Sequence, residues 1–222
     1  MDLSRQERFL ESKNCFNSSI YSKHIVLVGC GGTGSPLGEL LARGGFTQIT
    51  LIDFDVIEKS NIQRQLFLPK HIGTFKAEKL KKRMLTINPK IICKSIVDQL
   101  QEENIHQYLD TCDIILDATD NFKVRFLIDS YAKNNDIPWI YLGANKGEVL
   151  CGIMDGKKSN FDTIISKNAK DEGCEFGVLA STTFIGASLS YNQLLKYFSI
   201  ENYTPKLLKF NIWNGSYFEV DL

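Results

Sequence analysis

The chain reads as an α/β protein: a Rossmann-like, mostly parallel sheet with helices on both faces and a C-terminal antiparallel hairpin. Three observations predict this. Short apolar runs alternate with amphipathic stretches through the first two-thirds of the sequence. The turn Gly29-Cys30-Gly31-Gly32-Thr33-Gly34 sits where the first apolar run hands over to a helix-forming segment. Near the end, Asn214-Gly215 separates two strand-like runs, a strong hairpin signal.

Residues 1–24 form a polar N-terminal arm. Strand 25–29 follows, then a helix over 35–43 with Ser35 as its cap and Pro36 in its first turn. A second strand, 48–52, ends at Asp53. Residues 55–75 are mixed and carry Pro69 and Gly73. An amphipathic helix over 76–87 is ended by Asn88-Pro89. Strand 91–97, helix 102–109, strand 113–117 and helix 122–134 continue the alternation, and strands 138–142 and 149–154 complete it. The pattern then changes. Residues 156–177 read as a flexible crossover loop, polar through Gly173, of a length that is often functional. Residues 178–222 supply a helix over 178–198 and the hairpin, with strands 207–213 and 216–220.

The 222 residues are most simply one domain, 1–222, with a sizeable core. Lys plus Arg and Asp plus Glu number 26 each, so no global charge draws the chain to nucleic acid or an anionic membrane. The polar start shows no signal segment, and Asn192 and Gln193 interrupt the longest weakly polar stretch. A soluble, cytoplasmic protein is expected, with no nucleic-acid and no membrane partner. None of the six cysteines forms a Cys-x-x-Cys pair, so no zinc is expected. Cys93, Cys112 and Cys151 lie in or beside apolar runs and read as core thiols, and Cys30 as a space-filler.

The glycine turn places free helix N–H groups where a phosphate can sit. Asp53, about 20 residues on, is placed to accept hydrogen bonds from ribose hydroxyls. These two features alone fit a dinucleotide as well as a triphosphate. Three more point to the triphosphate: Ser60-Asn61-Ile62-Gln63-Arg64-Gln65, Lys76 opening a helix, and Asp117-Ala118-Thr119-Asp120-Asn121 at a strand end. Ligands of open parallel sheets bind at the carboxyl ends of strands. Asp53 and Asp120 should therefore project into one crevice. Two cations there can neutralise a leaving pyrophosphate, and a carboxylate can hold magnesium.

At these residues the sequence resembles the ThiF/MoeB/HesA group of ubiquitin-activating-enzyme-like adenylyltransferases. The resemblance runs from about Ser4 to the terminal hairpin and is densest over 25–152. It rests on Gly-x-Gly-Gly-x-Gly, Asp-Phe-Asp, Ser-Asn-x-Gln-Arg-Gln, Gly-x-x-Lys-Ala and Asp-x-Thr-Asp-Asn in that order. It implies that ATP adenylates the C-terminal Gly-Gly carboxylate of a ubiquitin-like sulfur-carrier protein, of thiamine, molybdopterin or tRNA-thiolation type. By the resemblance, Gly29, Gly31, Gly32 and Gly34 line the phosphates, and Asp53 and Asp55 stand at the ribose. Asn61, Arg64, Gln65 and Lys76 then meet the nucleotide, with Asn121 beside Asp120, which holds Mg2+. Arg5 resembles an arginine that reaches into the partner's site, which implies a homodimer. Arg64, Lys76 and Asp120 carry catalysis, and Cys174 is the candidate for a covalent step. The zinc-binding cysteine pairs of many bacterial relatives are missing. The rivals left open are activation of a peptide or small carboxylic acid on the same fold, an NAD-dependent oxidoreductase, and a silent partner that binds carrier or nucleotide as a scaffold.

Overall fold

The computed structural model describes residues 1–155, 161–165 and 177–222. Its centre is an eight-stranded sheet of β1 (His24–Val28), β2 (Gln48–Ile52), β3 (Ile92–Ile96), β4 (Ile114–Asp117), β5 (Trp139–Asn145), β6 (Glu148–Met154), β7 (Lys206–Asn211) and β8 (Ser216–Asp221). The spatial order is β3-β2-β1-β4-β5-β6-β7-β8. The first five strands are parallel and the last three pairings antiparallel. The antiparallel part is thus larger than a terminal hairpin, because β6 turns back on β5 through Lys146 at φ 52° and Gly147.

The helices are α1 (Ser4–Ser12), α2 (Gly34–Arg43), α3 (Lys76–Ile87), α4 (Ile105–Leu109), α5 (Phe122–Asn135), α6 (Phe161–Ile164) and α7 (Ala180–Ser199). Strand alternation decides which face each helix covers. Ile25, Leu27, Ile49, Leu51, Leu116 and Ile140 point to one face, where α2, α3 and α7 close the core. Val26, Val28, Ile115, Trp139 and Tyr141 point to the other, under α4, α5 and α6. None of the described helices is long and apolar enough to cross a membrane.

Four expectations change. The N-terminal arm contains α1, tied down by Gln6, whose amide donates to the Gly44 carbonyl and accepts from the Tyr191 hydroxyl. Ser35 is not a cap: its hydroxyl donates to the Gly31 carbonyl and accepts the Leu66 N–H. The hairpin loop holds Ile212 to Gly215, not Asn-Gly alone, since Asn211 accepts N–H bonds from Trp213 and Asn214. Of the crossover stretch, residues 156–160 and 166–176 lie outside the described residues, and within 161–165 a short helix, α6, forms where a loop was expected. Phe161 is fully buried against Phe126, Trp139 and Tyr141, and the i, i+3, i+4 spacing of Phe161, Ile164 and Ile165 is the signal that its polar surroundings masked.

Candidate active site

The chain leaves β1 in opposite directions: β2 and β3 lie on one side, β4 and β5 on the other. Such a reversal opens a crevice at the carboxyl ends of the strands. Here it is a cavity of about 470 Å³. Its floor is the glycine turn. Gly29 sits at φ 88°, and a Cβ there would come within 2.7 Å of the Ala118 carbonyl oxygen. A Cβ on Gly34 would lie 1.9 Å from the Gly29 carbonyl oxygen. Only glycine lets the turn fold this tightly. No side chain caps the start of α2; Gly29 and Cys30 give their N–H groups to the Ile52 carbonyl and Asp53, and the positive end of the helix faces a ligand from Gly31 onward.

The cavity brings together Gly29, Gly31, Gly32, Asp53, Asp55, Asn61, Arg64, Gln65, Lys76, Asp120 and Asn121. Gly34 is not among its lining residues and acts from beneath, by letting α2 approach Gly29. Asp53 is buried at the end of β2, and its carboxylate accepts N–H bonds from Cys30 at 2.6 Å and Asp55 at 2.8 Å. Burial pushes its carboxyl above the usual range, while the Cys30 N–H and Lys76 pull the other way. Asp53 thus holds the glycine turn and still has lone pairs for ribose hydroxyls. The Lys76 ammonium, itself buried, pairs with Asp55 at 2.6 Å, so Asp55 already has a partner. Arg64 is braced on the Ser60 carbonyl at 2.9 Å. Asn61 accepts the Glu58 N–H through Oδ1 and is buried.

At the end of β4, Asn121 caps α5 by accepting the Val124 N–H. The cap role open to Asp120 is thus taken by its neighbour, and Asp120 is exposed at the cavity wall. Arg5 lines a separate hollow with Arg43, at the far end of α2, roughly 15 Å from the glycine turn at 1.5 Å per helical residue. It does not reach its own chain's cavity. Cys174 lies outside the described residues. Burial pushes Cys93 up to about 11, Cys112 and Cys151 to about 12, and Cys30 well above its usual range, so none of these four is activated. Cys30 and Cys151 are core residues, whereas Cys93 and Cys112 are only half-buried.

Sequence reasoning missed three groups. Arg125, four residues into α5, is a buried cation on the cavity wall, paired with Asp117. Val178 is not helical but bridges to Lys146 and lines the cavity. Thr183, from the first turn of α7, also lines it. The cation at the fourth position after Asn121 was visible; its burial was not.

Two observations bear on ligands. Among the described residues the buried Gln65 Oε1 atom has no hydrogen-bond partner, which is costly unless a ligand donor or water meets it. Among the described residues no three His, Cys, Asp or Glu side chains cluster as a metal cage. A magnesium ion carried by nucleotide phosphates needs only one or two carboxylates, so Asp120 suits that ion.

The chain is 32% identical over 140 residues to the SAMP-activating enzyme E1 of Haloferax volcanii, covering 62% of this chain and 52% of that protein. It is 37% identical over 149 residues to the tRNA threonylcarbamoyladenosine dehydratase of Haemophilus influenzae, covering 65% and 57%. With the sulfur carrier protein ThiS adenylyltransferase of Bacillus subtilis the identity is 27% over 226 residues, covering 98% of this chain and 66% of that protein. The chain thus spans between half and two-thirds of these relatives. The fold matches Escherichia coli MccB with ATP at a TM-score of 0.76 and 21% identity, over 91% of this chain and 64% of that one. Residues 3–222 match the ThiF family, and the chain belongs to that family.

Proposed function

We propose that this chain adenylates a carboxylate with Mg-ATP, and that its substrate is the C-terminal Gly-Gly carboxylate of a ubiquitin-like sulfur-carrier protein. The observation that carries the reading is the convergence of Asp53, Arg64, Lys76 and Asp120 around an uncapped helix N-terminus in one cavity. A hydride-transfer site has no use for that set of charges.

The substrate carboxylate is ionised at neutral pH and needs no general base. Its oxygen attacks the α-phosphorus in line. The bond from the α-phosphorus to the bridging oxygen breaks, and pyrophosphate leaves with that electron pair. Asp53 orients the ribose, the glycine turn positions the phosphates, and Gln65 Oε1 accepts from a donor of the nucleotide. Arg64 and Lys76 stabilise the charge that builds on the leaving group. Asp120 would hold magnesium at the phosphates, which would supply further charge neutralisation there. Lys76 must turn from Asp55 to do this, and Asp55, half-exposed, gives it up at little cost. Arg5, exposed and remote from its own cavity, is read as serving the site of a second copy in a homodimer.

The names of the ThiS adenylyltransferase and SAMP-activating relatives support the carrier substrate. The dehydratase relatives favour a second reading: activation of a carboxylate outside a protein tail, such as the threonine carboxylate of a modified tRNA nucleoside. ATP–pyrophosphate exchange separates the two. Stimulation by small proteins ending in Gly-Gly supports the first reading, and stimulation by such a tRNA alone replaces it with the second.

A further inference from the structure

We propose that Arg125 is the positioning residue for Asp120. It acts through Thr119 and fixes how the Asp120 carboxylate meets magnesium on the nucleotide; the inference rests on the adenylation reading. Asp117, the last residue of β4, has a fully buried carboxylate. One of its oxygens accepts from the Thr119 N–H at 3.0 Å and the Thr119 hydroxyl at 2.7 Å. The other accepts from Arg125 Nε at 3.2 Å. Arg125 Nη2 then donates to the Thr119 carbonyl and to the Leu142 carbonyl on β5. Both backbone polar groups of Thr119, the residue before Asp120, are therefore held by one buried ion pair. The guanidinium is itself fixed, with Tyr141 and Phe122 rings at 4.9 and 5.1 Å.

The device locks the chain on both sides of Asp120. Thr119 is pinned before it, and Asn121 is pinned after it by capping α5. The Asp120 side chain is then presented from a turn that cannot drift, as an ordered metal ligand requires. A planar fork is needed, because one group must reach a carboxylate and two carbonyls in fixed directions. A lysine ammonium keeps the charge but not that geometry.

The test is ATP affinity by calorimetry, with magnesium and with EDTA, for wild type, Asp120→Ala, Arg125→Lys, Asp117→Asn and the Asp120→Ala/Arg125→Lys double variant. In wild type, magnesium should tighten ATP binding, and Asp120→Ala should remove that gain. Arg125→Lys should lose about tenfold of it, the scale of outer-shell changes at metal sites. Its affinity in EDTA, set by Asp53 and the glycine turn, should stay within twofold of wild type. The double variant should lose no more than Asp120→Ala alone. Asp117→Asn attacks the same clamp from its other end and should behave like Arg125→Lys, which covers the case in which either variant folds poorly. A full magnesium gain in Arg125→Lys or Asp117→Asn, with Asp120→Ala deficient, overturns the positioning role and leaves the adenylation reading intact. No magnesium gain in wild type, or no effect of Asp120→Ala, overturns both.

Discussion

Asp53 is expected to stabilise the empty protein as well as bind nucleotide, and the two roles can be separated. Alanine at this position removes the ionised acceptor from two N–H groups, those of Cys30 and Asp55. Hydrogen bonds to a charged group are worth about 1.5–3 kcal/mol each. Against that loss stands the cost of holding a buried carboxylate ionised, visible in its raised pKa. A group with a raised folded pKa contributes stability below its unfolded value, and that contribution is lost as pH rises through the folded one. At neutral pH the carboxylate is thus partly penalised, and the net cost of Asp53→Ala should be about 2–4 kcal/mol, below the sum of the two bonds. For a chain of this size that is roughly 4–16 °C in Tm. Asp53→Asn keeps one neutral acceptor and escapes the ionisation cost, so its loss should be about half as large. Thermal unfolding without nucleotide, checked by urea denaturation, reads both. An Asp53→Ala protein melting within about 1 °C of wild type would refute the claim that this carboxylate holds the glycine turn.

Phe161→Ala should cost about 3–5 kcal/mol, because a fully buried ring leaves a cavity among three aromatic partners; urea denaturation checks this, and a near-neutral result would remove the anchor from the crossover stretch. Lys76→Met should leave the protein folded but less stable, since the buried ammonium also offsets the burial of the Asp53 carboxylate, while pyrophosphate exchange falls by at least about tenfold. Tyr108→Phe should raise the carboxyl pKa of Asp98. The Tyr108 hydroxyl donates to Asp98 at 2.6 Å and is the main cause of its pKa lying below the ordinary 3.8. A depressed folded pKa contributes stability above 3.8 that is lost as pH falls through the folded value. Carboxyl NMR titration should show the upward move in the variant, together with a smaller acid-side loss of stability.

The parallel half of the fold was legible because periodicity and punctuation agree there. Val26 and Leu27 are apolar in a strand buried on both faces, the glycine turn follows at once, and Asn88-Pro89 stops α3 where a helix must stop. The antiparallel half was less so. Nothing local in Val149 to Met154 says whether the strand runs with β5 or against it; the tight turn at Lys146 and Gly147 decides that. In the site, Asp53, Arg64, Lys76 and Asp120 were readable from motif and strand-end position. The division of labour was not. Asp53 bonds the backbone of Cys30 and Asp55 holds Lys76, contacts between residues more than twenty apart that only the fold brings together, while Asn121 rather than Asp120 caps α5 in a local choice between two adjacent residues that both suit a cap. Arg125 was hidden because a charged residue at a helical position looks solvated until the fold turns it back onto its partner, Asp117, at the end of the preceding strand.

The most direct test of the account is ATP–pyrophosphate exchange by the purified protein, with and without small proteins ending in Gly-Gly, beside an Asp120→Ala control. Exchange should require magnesium and such a protein and be lost in the control. Measurable ATP binding with no exchange under any of these conditions would contradict it.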